Sequence, residues 1–231
     1  MPRAFACTLD LARALSEAGA EVTVVPLLTI QPEVAQPDLL SRLRAADQVV
    51  FTSPQAVDVL LGQLEQQGTD VRALTGCRLG VIDETTRTRL RRSRLRVDHE
   101  FDAPIHKPLG RVLVVGSVEE IEEVVLRVIA PAQPSDVSSV VDPLPLYSYE
   151  VDERFPVPFL DDHDAVVLVG TGAARAFVDT YPGNAVCRQL VVATCESASD
   201  EAIMLGIKVD LKAREAGARE LVRLIADQLG R

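Results

Sequence analysis

Apolar residues along this chain follow two rhythms: short unbroken runs, and longer stretches spaced every three or four positions. Leu11, Ala14, Leu15 and Ala18 share one helical face over residues 10–18, with Gly19 as the C-terminal cap. Val22 to Val25 then reads as a short buried strand, and the proline-rich stretch 26–37 as a linker. A short helix over 39–43 precedes a strand over 48–52. Ser53-Pro54 opens the next helix, serine as N-cap and proline at the first helical position. That helix turns Val57, Leu60, Leu61 and Leu64 inward and ends near Gly68. A strand over 78–82, a helix from Thr85 or Thr86 to Leu90 and a short strand at Arg96-Val97 follow. Further strands are expected over 111–115, 140–141, 144–147, 165–169, 190–193 and 207–209. Helices are expected over 118–129, 173–179, 199–205 and 219–229.

The chain echoes itself. Val49 to Val57 has the rhythm of Ala165 to Ala174, Arg78 to Thr86 that of Leu190 to Ala198, and Gly19 to Leu27 that of Ser138 to Leu146. Strand and helix alternating at this length predict parallel sheets with helices on both faces. A second proline-bearing linker lies at 149–158. The middle piece, 33–148, is long enough to fold alone. The first piece is too short to bury a core, so residues 1–30 are expected to join 152–231 in a discontinuous lobe. Two lobes imply a cleft, where small ligands usually bind, and two chain crossings imply a hinge.

Composition narrows the chemistry. Of 231 residues, 47% are hydrophobic, ample for packed cores, and no apolar run reaches membrane-spanning length. A net charge of -10 argues against nucleic acid as a partner, and the absence of tryptophan against base-stacking platforms. It does not exclude a small anion, which backbone N–H groups at a helix N-terminus can hold. The four cysteines, Cys7, Cys77, Cys187 and Cys195, form no C-x-x-C pair and read as reduced thiols of a cytoplasmic protein. Asp161-Asp162-His163-Asp164 reads as a solvated loop, so no metal is expected, and the glycine turns fit no nucleotide motif, so no cofactor is expected. The arginines from Arg87 to Arg96 read as a solvated face paired with nearby acids.

Thr52 and Ser53 are expected at the end of a strand and the start of a helix, where a carboxylate could be received. Gly170, Thr171 and Gly172 occupy the matching turn of the second repeat, where glycine lets the backbone approach a ligand closely.

The ordered set of motifs resembles the uroporphyrinogen-III synthase family over nearly the whole chain. Phe51-Thr52-Ser53-Pro54-Gln55-Ala56-Val57 is similar to the family's F-T-S-P/A-x-x-V element. Gly19 to Leu27 fits G-A-E-V-x-V-x-P-L, Leu144 to Tyr147 fits V-x-x-Y, and Ala213 to Leu229 fits the closing helix. The resemblance implies two flavodoxin-like parallel-sheet lobes, joined by a two-stranded linker. It also implies a cofactor-free monomer that closes hydroxymethylbilane, a polycarboxylate tetrapyrrole, to uroporphyrinogen III with loss of water and inversion of the last pyrrole. By the same resemblance, Tyr147 is the proton donor that helps the hydroxyl depart, and Thr86 lies over substrate carboxylates.

Departures from the family pattern mark a divergent member, with reduced or lost activity as one outcome. Asp83 and Glu84 stand where the family has glycine and proline, and two carboxylates would repel an anion. The second repeat's turn, Thr194-Cys195-Glu196-Ser197-Ala198, also lacks the family's glycine, proline and threonine, with Ser197 and Ser199 as the candidate substitutes. The N-terminal T-R-P and the R-G after the strand at 111–115 are also missing. The alternative to an enzyme is a non-catalytic module on the same scaffold that binds a tetrapyrrole or other polyanion.

Overall fold

A computed structural model describes residues 6–34, 36–101, 110–126, 140–151, 157–170, 172–181, 188–194, 196–212 and 218–230. The chain divides into two compact units, Ile30–Ser148, and Met1–Thr29 with Tyr149–Arg231.

The unit Ile30–Ser148 is built on five strands: β2 (Gln48–Phe51), β3 (Arg78–Val81), β4 (His99–Glu100), β5 (Arg111–Gly116) and β6 (Val140–Pro145). Their order is β4-β3-β2-β5-β6, and every pairing is parallel. Parallel strands covered on both faces should be apolar throughout. Accordingly Val49, Val50 and Phe51 of β2 and Val112 to Val115 of β5 are fully buried. Val50, Val112 and Val114 pack with Phe101, Ile121 and Val124 on one face. The two-residue period of a strand sends Val49, Phe51, Leu113 and Val115 to the other. Gly80 on β3 makes room for Phe101, whose ring lies 2.3 Å from where a Cβ would stand.

The helices of this unit are α2 (Leu39–Ala45), α3 (Pro54–Gln66), α4 (Glu84–Arg92) and α5 (Val118–Val124). Each of the last three starts at the carboxyl end of the strand before it and begins on a side-chain cap. Ser53 Oγ accepts from Ala56 N–H at 3.1 Å, with Pro54 in the first turn. Asp83 Oδ1 accepts from Thr86 N–H at 2.6 Å. Ser117 and Glu120 form a reciprocal capping box. Such caps contribute about 1 kcal/mol each. A half-buried ion pair, Arg42 to Asp142 at 2.6 Å, ties α2 to β6.

The order of strands reverses beside β2. From β2 the chain moves outward through β3 to β4, then returns to the other flank of β2 as β5 and moves outward again to β6. In open α/β sheets the carboxyl ends of the strands at such a reversal leave a crevice suited to ligands. Here that place lies after Phe51 and Gly116.

The other unit holds a parallel sheet ordered β10-β9-β8, from β8 (Ala165–Leu168), β9 (Leu190–Ala193) and β10 (Leu211–Lys212). Its two faces are covered separately. Leu168 and Val191 pack with Ala174 and Phe177 of α6 (Ala173–Thr180) and Ala202 of α7 (Glu196–Met204). Val192 packs with Leu11 of α1 (Ala6–Glu17) and with Leu221 and Ile225 of α8 (Ala218–Leu229).

Three expected elements are displaced. Residues 20–27 carry no strand; the chain turns tightly at Pro26, Leu27 N–H reaching Val25 O at 3.0 Å. The strand forms later, as β1 (Leu28–Pro32), within the stretch read as a linker, because β7 (Tyr147–Val151) supplies its ladder partner. The strand expected at 207–209 forms instead as β10, with Asp210 N–H already joined to Val191 O. The short strand expected at Arg96-Val97 forms at His99–Glu100.

Candidate functional site

At the reversal beside β2 the chain assembles a buried cluster of hydroxyls around one carboxylate. Thr52 and Ser53 come from the end of β2, Ser117 and Glu120 from the start of α5, and Tyr147 from the start of β7. They are 3, 7, 0, 8 and 1% exposed respectively. Glu120 Oε2 accepts from Tyr147 Oη at 2.5 Å, from Thr52 Oγ1 at 2.7 Å and from Ser117 N–H at 3.2 Å. Thr52 Oγ1 also lies 3.0 Å from Val115 O. Ser53 Oγ is 2.6 Å from Tyr147 Oη. Gly116 is what admits this cluster: a Cβ there would stand 2.0 Å from Thr52 Oγ1 and 2.9 Å from Glu120 Oε2.

Three residues read from the sequence, Thr52, Ser53 and Tyr147, are therefore brought into one hydrogen-bonded group. Glu120 and Ser117 join them and were missed. The local signal was there, since Ser117-Val118-Glu119-Glu120 is a capping-box pattern. That pattern indicates a helix start and is silent about Thr52 and Tyr147, which lie 68 and 27 residues away from Glu120 in sequence.

Thr86 lies at the same edge of the sheet, in the first turn of α4. Its N–H is held by Asp83, and Asp83 also accepts from Thr85 Oγ1 at 2.8 Å. Thr86 is fully buried, and its Oγ1 has no hydrogen-bond partner among the described residues. Gly170 and Gly172 belong to the other unit, after β8, and both take the left-handed backbone at φ 80° that glycine alone adopts without strain. Gly170 N–H donates to Thr194 Oγ1 at 3.3 Å, and Gly172 N–H to Glu201 Oε2 at 2.9 Å. Thr171 lies outside the described residues, as does the side chain of Ser197, whose backbone falls in the first turn of α7.

Other features take structural places. Arg87 pairs with Glu84 at 2.8 Å and with Glu100; Arg89 pairs with Asp58. His163 lies 3.0 Å from Phe159 O through Nδ1. Among the described residues, no group of His, Cys, Asp and Glu is arranged to hold a metal ion. Nor is any helix among them long and apolar enough to cross a membrane.

The family model described as uroporphyrinogen-III synthase HemD matches residues 10–135, more than half of the chain. The chain belongs to the uroporphyrinogen-III synthase family. Its fold is also that of solved structures so named. A mutant uroporphyrinogen III synthase from the extremely thermophilic bacterium Thermus thermophilus superposes with a TM-score of 0.62 at 13% identity, over 95% of this chain and 94% of that one. Uroporphyrinogen-III synthetase from Helicobacter pylori 26695 gives 0.55 at 14% identity, over 89% and 93%. No curated protein sequence matches significantly. Uroporphyrinogen-III synthases are lyases of porphyrin and heme biosynthesis, and their substrate is the linear tetrapyrrole hydroxymethylbilane. The residues that carry the chemistry in this chain are a separate matter, and geometry is the guide to them.

Proposed function

We propose that this uroporphyrinogen-III synthase closes hydroxymethylbilane at the hydroxyl cluster beside β2, with Tyr147 as proton donor. The observation that carries the reading is the linked set Ser53, Tyr147 and Glu120, with hydroxyl oxygens 2.6 Å apart and the carboxylate 2.5 Å beyond. The reaction breaks the C–O bond of the terminal hydroxymethyl group. The departing hydroxyl needs one proton to leave as water; the ring then closes by a new C–C bond to the resulting cationic methylene carbon, and the proton shed as the pyrrole regains its aromaticity returns to the Tyr147 phenolate. A phenol suits the first task, because it is neutral near pH 7 and carries one transferable hydrogen, which must turn from Glu120 to the departing hydroxyl when substrate binds. The pyrrole is already electron-rich, so positioning and proton delivery supply most of what catalysis needs.

Thr52 and Ser53 open α3, where a neutral hydroxyl cap leaves the helix N-terminus receptive to a substrate carboxylate. Thr86, Gly170, Thr171, Gly172 and Ser197 are the further contacts proposed for the remaining carboxylates. The two units Ile30–Ser148 and Met1–Thr29 with Tyr149–Arg231 act as the two lobes of the enzyme. The protein works as a cytoplasmic monomer, which sedimentation of the pure protein tests.

The deciding experiment feeds the protein freshly made hydroxymethylbilane and separates the type I and type III isomers. Type III product is expected, and Tyr147→Phe should slow its formation about 10²–10⁴-fold, the usual worth of a placed acid. Unchanged turnover in Tyr147→Phe removes Tyr147 from the chemistry. Type I product alone, with tetrapyrrole still bound, identifies a non-catalytic module instead.

A further inference from the structure

We infer that the arginine-lined cavity along α4 and the turn after it is a binding site for a small organic polyanion, separate from the hydroxyl cluster beside β2. Six arginines fall from Arg87 to Arg96, and the pairing with acids expected of them stops after two. Arg87 pairs with Glu84 and Glu100, and Arg89 with Asp58. The side chains of Arg91, Arg92, Arg94 and Arg96 make no hydrogen bond or ion pair among the described residues. The nearby Asp98 carboxylate is taken by Leu79 N–H at 2.8 Å. Arg91, Arg94 and Arg96 are exposed, and with Arg87, Leu95 and Val97 they line one cavity of about 440 Å³. That volume falls within the range of small-molecule sites, about 300–1,000 Å³. None of its lining residues belongs to the hydroxyl cluster.

Offsetting the helix dipole accounts for part of this charge, since Arg89, Arg91 and Arg92 stand in the last turn of α4. It does not account for Arg94. That residue takes the left-handed backbone at φ 61°, with its N–H on Arg91 O at 2.9 Å and Leu95 N–H on Leu90 O at 3.1 Å. The same pair of closing bonds follows α1, α3 and α7, and there the left-handed residue is Gly19, Gly68 or Gly206. Among the described residues, Arg94 is the one non-glycine at positive φ. Glycine adopts that conformation freely, whereas a Cβ crowds its own backbone. With three arginines already at the dipole's negative end, what arginine adds at 94 is a guanidinium at the cavity.

The lining defines the ligand's chemistry. Each guanidinium is a planar fork matched to a carboxylate or a phosphate. Three unpaired forks around one cavity suit a molecule with two or more such groups, and the half-buried Leu95 and Val97 suit a carbon body between them. In a chain of net charge -10, this local reversal of sign gathers such an anion.

Isothermal titration calorimetry of the full-length protein tests the site, at about 0.15 M salt to screen long-range attraction. The probes are benzene hexacarboxylate, which carries carboxylates, and inositol hexakisphosphate, which carries phosphates. At least one should bind one-to-one, and which one does tells the two chemistries apart. Arg91→Gln should weaken that binding about 10- to 100-fold, the worth of one charge-assisted contact. Arg94→Gly should weaken it as much yet melt no lower than the parent, because it restores the residue that suits the turn. Arg92→Gln removes an equally unpaired charge that does not line the cavity, and should leave Kd within about twofold. An equal loss in Arg92→Gln would reveal diffuse attraction and overturn the inference. Binding that survives Arg91→Gln and Arg94→Gly lies elsewhere and overturns it too, as does the absence of saturable binding by either probe. Type III synthesis should keep the parent KM in both cavity variants; a raised KM would make the cavity a seat for the substrate and end its separateness.

Discussion

Replacing Gly116 by alanine adds one methyl group at the point where β5 meets the hydroxyl cluster, and the structure sets what that methyl meets. The new carbon would stand 2.0 Å from Thr52 Oγ1, 3.0 Å from Thr52 Cβ and 2.9 Å from Glu120 Oε2. The first and last of these are closer than folded proteins tolerate. Gly116 does not have positive φ, so the cost is steric and owes nothing to backbone strain. Thr52 cannot simply swing aside, since it is 3% exposed and its Oγ1 donates to Glu120 and lies 3.0 Å from Val115 O. Turning that side chain forfeits its bond to the buried carboxylate, about 1.5–3 kcal/mol. Overpacking costs about 1–3 kcal/mol more. Together these destabilise the unit by roughly 2.5–6 kcal/mol, a large share of the 5–15 kcal/mol that holds a typical domain. Gly62 provides the control. It lies inside α3 with nothing within 4 Å of a Cβ, so Gly62→Ala should gain about 0.5–1 kcal/mol. Hydrogen exchange of β2 and β5 amides, read in the full-length protein beside a thermal melt, separates the two. The same alanine should loosen those strands at position 116 and tighten α3 at position 62. A Gly116→Ala protein as stable as the parent, with type III synthesis intact, would refute the packing argument.

Two more predictions concern titrating groups away from the cluster. Burial, and secondarily the Asp47 carboxylate, push the Cys77 thiol upward, and its Sγ is 3.2 Å from Leu43 O. Peptide mapping after iodoacetamide at pH 8 should show Cys77 labelled more slowly than a free cysteine; faster labelling would contradict its burial. The Asp210 carboxyl is held below its usual range by the hydrogen bond from Lys208, then by Val191 N–H. A depressed carboxyl stabilises the fold above its unfolded value near 3.9 and loses that contribution as pH falls through the lowered folded value. Asp210→Asn should therefore cost about 0.2–1 kcal/mol at pH 7, the range for a solvent-screened pair, and nothing below both values. A cost that persists in acid would assign it to the Val191 hydrogen bond instead.

The sequence made the framework of the site legible because its signals are local. Ser53-Pro54 announces a capped helix from two adjacent residues, and the apolar run before it announces a buried parallel strand. Both are present, and they bring Thr52 and Ser53 to the end of β2. The displaced elements fail for the converse reason. Val22 to Val25 has strand composition, yet a strand exists only where a neighbour offers a ladder, and that neighbour is β7, more than a hundred residues on. Glu120 was hidden in the same way. Its pattern is fully explained by a helix start, and its inward turn depends on Gly116 leaving a gap that no spacing rule reports.

The distribution of carboxylates at the helix starts bears on how an acidic protein could receive a polycarboxylate. Asp83 takes the Thr86 N–H at α4, Glu120 closes the capping box at α5, and Glu201 takes the Gly172 N–H at α6. Each carboxylate offsets the positive end of the helix it caps. A substrate carboxylate bound as proposed at Thr86 of α4 or Gly172 of α6 sits beside a like charge already seated there, at a cost that rises as water is excluded. At α3 the cap is the hydroxyl of Ser53, and no carboxylate faces its first turn through that cap. Among the starts of α3, α4, α5 and α6, α3 is capped by a hydroxyl with no carboxylate among the described residues on its first-turn N–H groups, and that hydroxyl is bonded to the proposed proton donor. Under the proposed function, the neutral cap leaves the first N–H groups of α3 to a substrate carboxylate, and Glu120, bonded to both Thr52 and Tyr147, is the like charge that this carboxylate must tolerate.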